Sequence, residues 1–73
     1  MKYTLSVEIP AGGEQLVAEE DAANFAAALD WASGLLSAGS DYADHFLRSA
    51  DGSVTAKYVK TTGGQWYAIA LSA

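Results

Sequence analysis

The chain has 73 residues, no cysteine, and nine acidic against four basic side chains, a formal net charge of −5. That length makes one domain, residues 1–73, with a single small core. The missing cysteines exclude disulfides and thiolate metal sites, and the negative charge disfavours non-specific association with nucleic acid or an anionic membrane, although solubility alone favours a charge of this size.

Tyr3, Leu5, Val7 and Ile9 alternate with Lys2, Thr4, Ser6 and Glu8. A period of two predicts a half-buried strand with its apolar face on the odd residues. The same alternation lacks the continuous apolar stretch of a signal peptide. No run approaches the roughly 18 apolar residues of a membrane span, so a cytoplasmic location is expected. Pro10 cannot donate to a ladder and ends the strand, and Ala11-Gly12-Gly13 makes a turn. Gln15–Ala18 reads either as a short second strand returning alongside the first or as the approach to a helix.

The helix is expected from about Glu20 to Ser37. Ala22, Phe25, Leu29, Ala32 and Leu36 recur at three- and four-residue steps as one apolar stripe. An offset stripe carries Ala28, Trp31 and Leu35. Glu19, Glu20 and Asp21 would then oppose the positive end of the helix dipole, with Asp21 or a neighbouring acid capping free amides. Gly39 is the expected stop.

The last third reads as a three-stranded meander: roughly Tyr42–Ser49, Val54–Thr61 and Gln65–Ser72. Asp51-Gly52 and Gly63-Gly64 stand between the runs, and such pairs favour two-residue turns that need positive φ. Two-residue loops set Leu47 opposite Ala56, His45 opposite Tyr58, and Tyr58 opposite Ile69. One face, with Leu47, Ala56, Tyr58, Tyr67 and Ile69, then seats the helix. The other carries Phe46, Arg48, Lys57, Val59 and Trp66. A slip of one residue exchanges the faces of the strand that slips.

Chemistry-bearing constellations are sparse. His45 is the lone histidine, and one histidine specifies no catalytic geometry; it reads as a hydrogen-bonded residue at the core edge. No Gly-x-Ser-x-Gly elbow, calcium loop or phosphate-binding glycine motif occurs, and the acids near the expected helix start would repel phosphate. Catalytic residues, a metal and a cofactor are therefore not expected.

What remains is surface. Glu19, Glu20 and Asp21, with Glu14 nearby, make an acidic cluster suited to a basic protein groove, while Trp31, Phe46 and Trp66 are candidate anchors. Phe46 and Trp66 beside Arg48, Lys57 and Lys2 would also suit stacked single-stranded nucleic acid, but the overall charge opposes direct contact. The same sheet face is a candidate for self-association, including a homodimer.

In size, acidity and layout (strand Lys2–Ile9, one amphipathic helix, hairpin Thr55–Ser72) the chain resembles the small phage-encoded inhibitors of bacterial defence complexes, the anti-CRISPR proteins. That resemblance implies a protein that binds a Cas nuclease or a Cascade-type subunit in the host cytoplasm, often at the groove for DNA or RNA. The helix and meander order is also similar to that of dodecin-type assemblies, which stack a flavin on tryptophan, though Trp66 does not match in position.

The expectation is an α+β domain of order β(β)αβββ, one amphipathic helix on a four- to five-stranded antiparallel sheet. Its expected action is non-enzymatic inhibition by occupying a partner's surface. The alternative is a structural or ligand-binding homo-oligomer that assembles through the sheet.

Overall fold

A computed structural model describes residues 1–39, 43–51 and 55–70. Five strands form one antiparallel sheet: β1 (Lys2–Glu8), β2 (Glu14–Asp21), β3 (His45–Ser49), β4 (Thr55–Lys60) and β5 (Trp66–Ala70), in spatial order β2-β1-β3-β4-β5. Helix α1 (Phe25–Ala38) lies between β2 and β3 in sequence and covers one face. The α+β class and the order of elements are as expected.

The two hairpin loops share one hydrogen-bond pattern, although in the first Gly13 as well as Gly12 has positive φ. Ile9 N donates to Gly13 O (3.2 Å) and Gly12 N to Ile9 O (3.0 Å); Thr61 N donates to Gln65 O (2.8 Å) and Gly64 N to Thr61 O (3.0 Å). Each loop therefore has three residues, Pro10-Ala11-Gly12 and Thr62-Gly63-Gly64. Each ends on a glycine in the left-handed region, Gly12 at φ +97° and Gly64 at φ +86°, the arrangement of a turn closed by a glycine bulge. Pro10 takes the first central turn position, where its fixed φ fits.

This overturns the two-residue Gly63-Gly64 turn. In β4–β5, Tyr58 lies opposite Ala68 and Lys60 opposite Trp66, one residue away from the expected pairing. The faces of β5 are consequently exchanged: Trp66 turns toward the helix, and Tyr67 and Ile69 turn to the open face. The β3–β4 pairing is as expected, His45 opposite Tyr58 and Leu47 opposite Ala56. Gly52, Val54 and Leu71 lie outside the described residues.

A pair of substitutions checks the loop. Gly64→Ala meets nothing within 4 Å but must hold φ +86°, which costs about 1–2 kcal/mol. Gly63→Ala lies in ordinary contact distance of Thr61 and needs no positive φ, so urea unfolding should find it within about 0.5 kcal/mol of the parent, or more stable. Equal losses at both glycines would restore the two-residue turn, which demands positive φ at both.

The second correction concerns the start of the helix. β2 runs through Asp21, paired from Lys2–Asp21 to Leu5–Ala18, then shifted by a bulge between Leu5 and Ser6. Gln15–Ala18 thus belongs to a strand returning alongside the first, and the bulge, which breaks the period of two, obscures how far that strand extends. Asn24, extended at φ −160°, caps the helix by accepting from Ala27 N at 2.9 Å, and the first helical turn holds no acid. Glu19, Glu20 and Asp21 therefore belong to an edge strand and neither cap the helix nor offset its dipole. Gly39 does end the helix, with its N–H on Leu36 O, but in an extended conformation.

The core follows from complementary sizes. Ala28, Ala32 and Leu36 are the buried residues of α1, and two alanines in that row let the helix sit close over the sheet. Tyr3, Leu5, Leu47, Ala56 and Tyr58 rise from the central strands to meet them. Phe25, Leu29 and Trp31 pack around this cluster, whereas Leu35 of the offset stripe is largely exposed. The Tyr58 hydroxyl donates to Leu29 O (3.0 Å) and accepts from Ser33 Oγ (3.3 Å). Burial pushes its pKa above the ordinary 10.0, Asp30 adds to the rise, and the Ser33 hydrogen bond opposes it.

Candidate protein-interaction surface

The open sheet face is organised around Phe46. Its ring is flanked by the Arg48 guanidinium at 5.9 Å and the Lys57 amine at 6.0 Å. Each cation is also held by a carboxylate: Arg48 by Glu14 at 2.8 Å and Lys57 by Asp44 at 3.3 Å. Glu14 reaches across the bulged ladder and accepts from Ser6 Oγ as well (2.8 Å). The row Glu14–Arg48–Phe46–Lys57–Asp44 therefore balances its own charge. Toward β5 the face becomes apolar, with Tyr67 and Ile69 about half exposed.

The expected site residues do not converge. Phe46 lies on this face, as its alternation requires. Trp66 does not: it packs on the core, meets the His45 ring edge-on at 5.3 Å, and carries the Lys60 amine 5.5 Å from its own ring. Its Nε1 is buried with no hydrogen-bond partner among the described residues. Trp31 is half-buried on the helix side. The platform of two aromatics for stacked nucleic acid thus loses Trp66. Tyr67 and Ile69, which the two-residue turn had placed under the helix, take the open face instead; only the loop length would have revealed them.

Glu19 and Asp21 share the open face with Lys2 and Thr4, while Glu20 lies opposite Tyr3 on the helix side. Glu19 is paired with Lys2 at 3.2 Å. The charge across the sheet is one-sided. Residues 1–21 hold Glu8, Glu14, Glu19, Glu20 and Asp21 against Lys2 and the Met1 ammonium, which pairs with Asp21 at 3.2 Å, whereas residues 55–70 hold Lys57 and Lys60 and no acid. The excess of acids therefore lies at the β2–β1 end, while at the β4–β5 end Lys57 is paired with Asp44.

His45 is 3% exposed. Its Nδ1 lies 2.8 Å from Ala43 O; a carbonyl only accepts, so Nδ1 carries the proton and donates. Among the described residues no cluster of metal-ligating side chains forms, and no helix is long and apolar enough to cross a membrane. A cleft of about 360 Å³ opens beside Trp66, lined by Ser33, Leu36, Ser37, Lys60 and Gln65.

No family model matches the chain, and no curated protein or solved structure is significantly similar to it.

Proposed function

We propose that this chain is a non-enzymatic protein-binding inhibitor that occupies a basic surface of its partner, the nucleic-acid groove of a CRISPR-Cas effector being the partner class tested first. The observation that carries the reading is the one-sided charge: five acids against one lysine in the β1–β2 hairpin, at an edge of the sheet. Glu20 and Asp21 are exposed there, and a low-salt encounter with a basic groove is steered by such a field. Phe46, on the strand beside β1, supplies apolar contact on the open face next to that hairpin, in place of Trp66.

Competition with target DNA for purified Cas effector complexes tests the proposal. The chain should displace DNA, and more weakly as salt rises. The combined Glu19→Lys, Glu20→Lys and Asp21→Lys variant should lose at least about tenfold in affinity while its circular dichroism is unchanged. Saturable binding that survives the triple reversal would refute the acidic docking mode. No binding to any effector in the panel would refute the partner class.

A further inference from the structure

We infer that β5 is a self-pairing edge, through which two copies of this chain join their sheets antiparallel about a two-fold axis at Ala68. The two edges of the sheet differ sharply. β2 has Glu14, Glu19, Glu20 and Asp21 and a bulge, devices that block strand addition. Pairing β2 with itself would also set acids against acids. β5, Trp66-Tyr67-Ala68-Ile69-Ala70, has no charged side chain, no proline and no irregularity in its pairing.

The backbone phase fixes the register. Thr61 N donates to Gln65 O, so in the alternation of an antiparallel ladder the hydrogen-bonded pairs are Val59–Tyr67 and Lys57–Ile69. The N–H and C=O groups of Trp66, Ala68 and Ala70 consequently point outward from the edge. A two-fold axis at Ala68 pairs those outward groups with each other: Ala68 with the second copy's Ala68, and Trp66 with its Ala70. On the open face the same register brings Tyr67 against the second copy's Ile69, and Ile69 against its Tyr67. These are close, non-hydrogen-bonded positions where an aromatic and a β-branched side chain pair well. Both side chains are about half exposed in the single chain, 52% and 48%, and the pairing covers them.

The second copy fits better than an unrelated strand for two reasons. The pattern around Ala68 is self-complementary in hydrogen bonds and in side chains. The like charges of the strongly acidic β1–β2 hairpins also lie at opposite ends of the joined ten-stranded sheet. This pairing is independent of the docking reading, which rests on β2.

Analytical ultracentrifugation of the full chain from about 10 µM to about 1 mM tests it, a range set by an interface smaller than the roughly 1,200 Å² of standard ones. The mass should rise from one chain to two, and amide exchange at Ala68 and Ala70 should slow in step. Ala68→Pro removes the central donor on an edge whose N–H faces outward, where proline is tolerated, and should hold the protein at one chain. Ile69→Lys, at an exposed site, should do the same and decides the matter if the proline variant fails to fold. A single chain at every concentration, or a dimer that survives Ile69→Lys, would overturn the proposal, as would protection appearing on β2 instead. In the first of those results β5 would be left as an edge for a strand of another protein.

Discussion

Leu47→Ala is expected to remove about 3–5 kcal/mol of stability, the usual cost of emptying a fully buried leucine site. Leu47 is 0% exposed, in the middle strand of five, between Leu5 of β1 and Ala56 of β4. The site has a strand on either side and lies in one buried cluster with Leu5, Tyr58, Ala28 and Ala32, whose close packing limits collapse into the cavity. A domain of this length has a total stability of roughly 4–11 kcal/mol. The variant should therefore be largely unfolded, or melt about 15–30 °C lower. Leu35→Ala, at a site 42% exposed on the helix, is the matched control and should cost under about 1 kcal/mol. Equal losses in urea titrations of the two variants would contradict the placement of the core.

Trp66→Ala is expected to be the next most damaging change, at about 2–4 kcal/mol. The ring is packed against the core beside His45, and an edge-to-face contact of this kind adds about 0.5–1.5 kcal/mol to area burial. Its Nε1, without a partner among the described residues, opposes that gain, which holds the expected loss below that of a fully satisfied tryptophan. Tyr67→Ala, one residue along the same strand but turned to the open face, should cost under about 1 kcal/mol. The contrast is diagnostic, because the two-residue Gly63-Gly64 turn would reverse it. It also separates folding from binding: a Trp66 variant that loses a partner does so by unfolding, whereas Phe46→Ala tests the surface itself.

Most of the architecture was legible in local pattern. The alternation of Tyr3, Leu5 and Val7 marks β1, and the Ala32–Leu36 spacing marks the buried side of α1. Asp51-Gly52 implies the β3–β4 pairing that the sheet adopts. These features repeat with the period of their own element, so neighbouring residues carry the signal. The candidate surface was legible only in part: Phe46 lies where alternation puts it, while Trp66 and Tyr67 exchange places.

Two matters were decided by tertiary structure alone. Glu19-Glu20-Asp21 suits the start of a helix as well as the end of a strand, and the bulge had erased the alternation of β2. Pairing with β1 settles it, since a ladder extending from Glu8–Glu14 to Lys2–Asp21 satisfies backbone groups that an isolated helix start leaves open. The fate of β5 turned on a single residue of loop length. Gly63-Gly64 admits both a two-residue turn and a three-residue loop with Gly64 alone at positive φ, and the local sequence barely distinguishes them. The choice rests on which register buries Trp66 against His45 and leaves Tyr67 outside. Because side chains alternate every residue, that one step exchanges the inner and outer faces of β5.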